Sequence, residues 1–121
     1  MNAIGRWHGL VIDCPEPTEL ATFYEAVLGF IRVQDEPDWV VIGDAADRPG
    51  LAFQRCPGYR APRWPAADGD QQLHFDVRVA DLDAGEQAVC ALCARRLDSG
   101  EGGRSFRVFA DPAGHPFCLI V

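Results

Sequence analysis

The sequence predicts an α+β protein of two βαβββ modules, their sheets forming one cup-shaped mixed surface with the helices outside. Three observations predict it. The chain runs twice through the same order: a short apolar strand, an amphipathic helix, then three more strands. Each half opens on a histidine inside its first strand, His8 in RWHGLVID and His74 in QLHFDVRV, and that strand runs into acidic, helix-starting residues. A length of 121 residues suits a single domain. We divide it into a module over 1–56, a linker over 57–71 and a module over 72–121.

The segment from Trp7 to Asp13 is short and β-rich and reads as a strand. CPEPTEL follows, with Pro17 in the first helical turn, where its missing N–H costs nothing. Leu20, Phe23, Tyr24, Val27 and Leu28 then fall at i, i+3, i+4, i+7 and i+8, one apolar helix face. Gly29 stands where a helix end takes a left-handed residue. FIRV, WVVI and LAFQR read as three strands, the last two joined by the polar GDAADRPG.

The second half repeats this. LHFDVRV alternates, with Leu73, Phe75, Val77 and Val79 on one face and His74, Asp76 and Arg78 on the other. Asp81 caps a helix expected to reach about Arg95, with Leu82, Val89, Leu92 and Cys93 on its buried side. A weak strand at RRLD and a stronger one at SFRVFA follow. DPAG turns the chain into PFCLIV. CPGYRAPRWPAADGDQ, rich in proline, glycine and arginine, reads as linker.

The composition narrows the function. A net charge of −7 opposes nucleic-acid binding. All basic residues are arginine, which rules out lysine Schiff-base chemistry. No apolar run reaches the length of a membrane span, and MNAIGRWHG lacks the apolar core of a signal peptide. Five cysteines without framework spacing fit reduced thiols, so we expect a cytoplasmic protein.

In this arrangement, strand alternation chooses the residues that face the cup. With Phe75 and Val77 under a helix, His74, Asp76 and Arg78 face inward, and the same register brings His8, Leu10 and Ile12 in from the first strand. Ala52 and Gln54 follow from LAFQR, and Cys118 and Ile120 from PFCLIV. The expected pocket therefore mixes apolar residues with His8, Gln54, His74, Asp76 and Cys118. It suits a small, partly apolar organic molecule.

HGLVID, FYEAVLGF, LHFDVRVADLDA and ADPAGHPFCLIV resemble the vicinal oxygen chelate superfamily, which holds glyoxalase I, bleomycin-resistance and fosfomycin-resistance proteins and extradiol dioxygenases. The resemblance covers the chain from Trp7 to Val121 and is closest to glyoxalase-like domains. It implies paired βαβββ modules, a dimer that often completes the cup, and one divalent metal (Zn, Ni, Mn or Fe) in the enzymes. Their ligands are histidines on the first strands and glutamates on the last. Carried over, His8 and His74 match the histidines. Gln54, or Ala52 in the other register, and Cys118 fall at the carboxylate positions, so both carboxylates are replaced here.

Two functions follow as expectations. One is a protein that binds a small organic ligand, metal-free or atypical, without glyoxalase I-type activity. Gln54 cannot accept a proton at neutral pH and so cannot serve as the glutamate base that takes the proton beside a carbonyl. The other is a metal-dependent lyase, isomerase or dioxygenase using His8 and His74, with His, Cys and an amide around an ion such as zinc. Cys90 and Cys93 make a CxxC that reads as packing, because it falls mid-helix without a second pair. Asp76 and Arg78 either pair with each other or grip a substrate. Arg55, Tyr59, Arg60, Arg63 and Trp64 read as a solvated loop, or as cations and a ring folded over a ligand.

Overall fold

In the computed structural model, which describes residues 3–63, 72–98 and 105–121, contacts divide the chain into two units, one ending at Tyr59 and one beginning at Arg60. The first runs β1 (Leu10–Cys14), α1 (Pro17–Leu28), β2 (Ile31–Glu36), β3 (Trp39–Ala45) and β4 (Arg48–Arg55). The second runs β5 (Phe75–Arg78), α2 (Leu82–Ala91), β6 (Arg95–Arg96), β7 (Phe106–Ala110) and β8 (Pro116–Ile120). Each unit is thus a βαβββ module, and the α+β class holds.

Within the first unit the sheet order is β1-β4-β3-β2, with β1 parallel to β4 and the other pairs antiparallel. Pro17 sits in the first turn of α1, and Gly29 ends it in the left-handed region (φ 70), its N–H donating to the Glu25 carbonyl at 2.9 Å. Leu20, Phe23 and Tyr24 of the expected helix face are buried, while Val27 and Leu28 are half-buried. Tyr24 meets Phe23 edge-on at 4.9 Å and stacks on Phe53 of β4 at 5.8 Å. Burying side chains of this size stabilises by about 1.5–3 kcal/mol each. Arg32 of β2 reaches back to Glu25 of α1 through two hydrogen bonds, 2.7 and 3.1 Å long. A Cβ on Gly43 would collide with the Arg48 carbonyl oxygen, so the close β3–β4 turn needs glycine.

In the second unit the order is β5-β8-β7-β6, again with one parallel pair, β5 with β8. Asp81 caps α2 as expected, accepting from the Asp83 N–H at 3.0 Å. Gly85 lets α2 lie close to the sheet, because a Cβ there would come within 3.1 Å of Leu119 and 3.3 Å of Val79. The helix ends at Ala91, short of the expected Arg95. The Cys93 N–H donates to the Cys90 carbonyl and the Ala94 N–H to the Val89 carbonyl, both at 3.0 Å, and Cys93 is left-handed (φ 75). This is a Schellman cap with cysteine where glycine is usual, at a cost of about 1–2 kcal/mol. Val89 and Ala94 are buried across it, whereas Leu92 and Cys93, expected on the buried side, are exposed.

Arg107 of β7 bridges Asp83 (2.8 Å) and Glu86 (2.9 Å) of α2, and Arg96 bridges the same Glu86 (2.6 Å) and Asp98 (2.8 Å). At the β7–β8 turn the buried Asp111 carboxylate accepts from the N–H groups of Ala113 (2.9 Å) and His115 (3.0 Å). That is the physical content of the DPAG motif. Among the described residues, no helix is long and apolar enough to cross a membrane.

Candidate functional site

The parallel pairing of β5 with β8 builds the site. Its register sets Asp76 beside Cys118 and Arg78 beside Ile120, with Phe75 and Val77 beside Phe117 and Leu119. Phe117 stacks on Phe109 at 5.6 Å, and Leu119 lies under α2 at Gly85. The helix side of this sheet is therefore Phe75, Val77, Phe117 and Leu119. Asp76, Arg78, Cys118 and Ile120 share the opposite face, as alternation predicts. The neighbouring β7 adds Val108, paired with Cys118, and Phe106, paired with Ile120. Sequence reading passed over both, although Phe106 and Val108 flank Arg107 in SFRVFA.

His74, just before β5, places Nε2 at 3.5 Å from the Asp76 carboxylate. Donor atoms of His74, Asp76 and Cys118 all lie within 4.8 Å of one another. The imidazole and the carboxylate are solvent-accessible, and Cys118 is 5% exposed. Burial pushes the Cys118 thiol up to about 11, helped by the negative charges of Asp76 and Asp98 and by a hydrogen bond to Asp76. Asp98 is fixed beside it, its carboxylate accepting from Arg96 at 2.8 Å and from the Val108 N–H at 3.3 Å. It too was missed, because a two-residue strand leaves little alternation to read. Asp76 takes His74 and Cys118 as partners, and the Asp76–Arg78 pair expected from their spacing does not form among the described residues.

The first unit corrects one expectation. The β1–β4 register sets Leu10 beside Leu51 and Ile12 beside Phe53, and Phe53 stacks on Tyr24 of α1. Leu10 and Ile12 therefore lie on the helix side. Val11 and Asp13 share the face of Ala52 and Gln54. The physical reason is parity. Aligning the two first strands on His8 and His74 rather than on Asp13 and Asp76 shifts β1 by three residues, and an odd slip reverses every side chain. Aligned by cross-strand partners, Asp13 beside Gln54 is the counterpart of Asp76 beside Cys118. The acidic residue shared by VID and FDV was the available signal. His8 is exposed and precedes β1, and Gln54 is exposed on β4.

Of the expected loop cations, Arg55 is held by Asp38 at 2.7 Å and Glu16 at 3.4 Å. Trp64 and the rest of the linker over 64–71 lie outside the described residues. His115, in the turn before β8, is half-buried, and its backbone N–H donates to Asp111.

The arrangement offers a proton donor (Cys118), an acceptor (Asp76) and a titratable imidazole (His74) beside the apolar Val108, Phe106 and Ile120. As a donor set, one imidazole, one carboxylate and one thiol fit a zinc-type ion. Donors around such an ion stand roughly 3–4 Å apart, given bonds of about 2.0–2.3 Å, and the His74–Asp76 separation of 3.5 Å already does.

Similar folds occur in solved structures. A glyoxalase/bleomycin resistance protein/dioxygenase family enzyme from Burkholderia phytofirmans is 12% identical, with 93% of this chain and 94% of that one covered and a TM-score of 0.69. A possible glyoxalase from Bacillus cereus is 11% identical, covering 98% and 100%, at 0.69. A mutant of the fosfomycin resistance protein FosX from Listeria monocytogenes, solved with Mn(II) and 1S,2S-dihydroxypropylphosphonic acid, is 10% identical, covering 98% and 90%, at 0.66. At these identities the likeness establishes the fold alone. No curated protein matches the chain. The glyoxalase-like domain family matches residues 9–120, nearly the whole sequence, and the chain belongs to that family.

Proposed function

We propose that this glyoxalase-like protein binds a small, partly apolar organic molecule and lacks glyoxalase I-type activity. The observation that carries the reading is the state of Cys118. It occupies the position where the resemblance implies a glutamate, and its thiol is held protonated, with a pKa of about 11. At neutral pH about one thiol in ten thousand would be ionised, too few for a resting base. Phe106, Val108 and Ile120 offer an apolar strip to the ligand. His74, Asp76 and Arg78 offer a donor, an acceptor and a cation beside it. We expect the protein to act as a homodimer, as the resemblance implies, in the cytoplasm, as cysteines without framework spacing suggest.

A second reading rests on the three convergent donors. In it, His74, Asp76 and Cys118 hold a divalent ion, with His8 and Gln54 as the further ligands that the resemblance implies. Bound there, such an ion would polarise neighbouring substrate oxygens, the chemistry of a lyase, isomerase or dioxygenase acting on vicinal oxygens. A thiol ligand favours zinc over manganese, iron(II) or nickel. Cys118 must shed its proton to bind, so affinity would rise with pH.

Elemental analysis of untagged protein separates the two, together with thermal-shift titrations using zinc, nickel, cobalt, manganese and iron(II). No bound metal and no stabilisation by any ion supports the metal-free reading. About one equivalent, lost in His74→Ala and Cys118→Ser, supports the metal centre, and loss in His8→Ala would extend it to the first unit. Glyoxalase I turnover by the purified protein, with or without added ions, would overturn the proposal that this activity is absent.

A further inference from the structure

The cap of α2 carries chemistry that its fold does not require. Cys90 and Cys93 are both exposed, whereas Cys14 and Cys118 are buried. The Schellman turn joins them directly, the Cys93 N–H donating to the Cys90 carbonyl at 3.0 Å. A bond of this i to i+3 kind holds the two Cα atoms within about 7 Å, against the roughly 4.4–6.8 Å that a disulfide spans. Cys93 also stands in the left-handed conformation (φ 75), which disfavours any side chain with a Cβ and which glycine adopts freely. Packing does not account for this residue, since it is Val89 and Ala94 that are buried across the cap.

We propose that Cys90 and Cys93 form a dithiol–disulfide site that exchanges with small disulfides. The thiolate of one cysteine attacks an external disulfide, forming a mixed disulfide and releasing one external thiolate. The second cysteine, having lost its proton to solvent, attacks the protein sulfur of that mixed disulfide and releases the other external thiolate. Two protein thiols are oxidised, and one external disulfide is reduced to two thiols. A ring closed across a tight, exposed turn belongs to the readily reduced class of disulfides, so the exchange is reversible. The site lies at the end of α2, on the opposite side of the sheet from Asp76 and Cys118, and does not rest on the function proposed above.

The test equilibrates the full chain with glutathione and glutathione disulfide at graded ratios, quenches with acid and alkylator, and maps the cysteines by mass spectrometry. The wild type should yield a peptide containing both cysteines and lighter by two hydrogens, with little glutathione retained at either. Cys93→Gly keeps the cap, since glycine suits its backbone, and should instead retain glutathione on Cys90 in several-fold excess over the wild type. Glutathione persisting on both cysteines of the wild type would overturn the site. So would a disulfide between two chains, or both thiols remaining free at the most oxidising ratio.

Discussion

Replacing Cys118 with serine should flatten the protein's loss of stability at alkaline pH. In the folded chain this thiol titrates at about 11, against an ordinary 9.0. A folded-state value raised above the unfolded one means that the fold keeps a proton which the unfolded chain releases. The contribution is whole below a pH of about 9 and is lost as the pH rises through about 11. Two pH units at about 1.36 kcal/mol each set an upper bound of about 2.7 kcal/mol. The share due to Asp76 is screened, because that carboxylate is 55% exposed, so about 1–2.7 kcal/mol is the expected range. Urea unfolding in steps from about pH 8 to about pH 11 reads it as the difference between wild type and Cys118→Ser. Asp76→Asn removes that carboxylate's charge and leaves burial and Asp98, so its alkaline loss should be smaller than the wild type's but still present. Parallel wild-type and Cys118→Ser curves across this window would refute the assignment of a buried, raised thiol.

Ile12→Ala should cost about 2–5 kcal/mol and Asp13→Ala under about 1 kcal/mol, because only Ile12 lies beneath α1. Equal costs in denaturant unfolding would contradict the β1 register. Asp111→Ala strips the acceptor from two turn N–H groups and should destabilise by about 1–3 kcal/mol per group left unpaired, readable as a lower urea midpoint. Gly43→Ala drives a methyl into the Arg48 carbonyl and should cost at least about 2 kcal/mol, measured as a fall in Tm and in the yield of folded protein.

Most of the fold was legible because its signals are local. Pro17 and Gly29 bracket α1, Asp81 opens α2, and FDVR with PFCLI each alternate cleanly enough to name the face that Asp76 and Cys118 share. β1 was harder, since Leu10, Val11 and Ile12 are apolar in succession and only Asp13 marks the solvent side. The histidine, a residue that catches the eye for its chemistry, fixed the wrong parity. The end of α2 was illegible for another reason. A cysteine does the work that sequence rules reserve for glycine, so the apolar pattern ran on past the true stop. Phe106 and Val108 alternate only briefly around Arg107 before the strand turns continuously apolar, and Asp98 follows a two-residue strand too short to show a pattern.

The strand that bears Cys118 is the last of its module to be made, yet it lies between β5 and β7. Until β8 arrives, β5 has no partner within its sheet and β7 offers an open edge. The second module therefore gains most of its sheet in one late, long-range step, and contacts so distant in sequence slow folding. A chain halted before Pro116 would display two unsatisfied strand edges together with the apolar surfaces of Phe75, Val77 and Phe109, the kind of species that aggregates. His74, Asp76 and Cys118 come together only when that step is complete, so an assembled cluster reports a finished module.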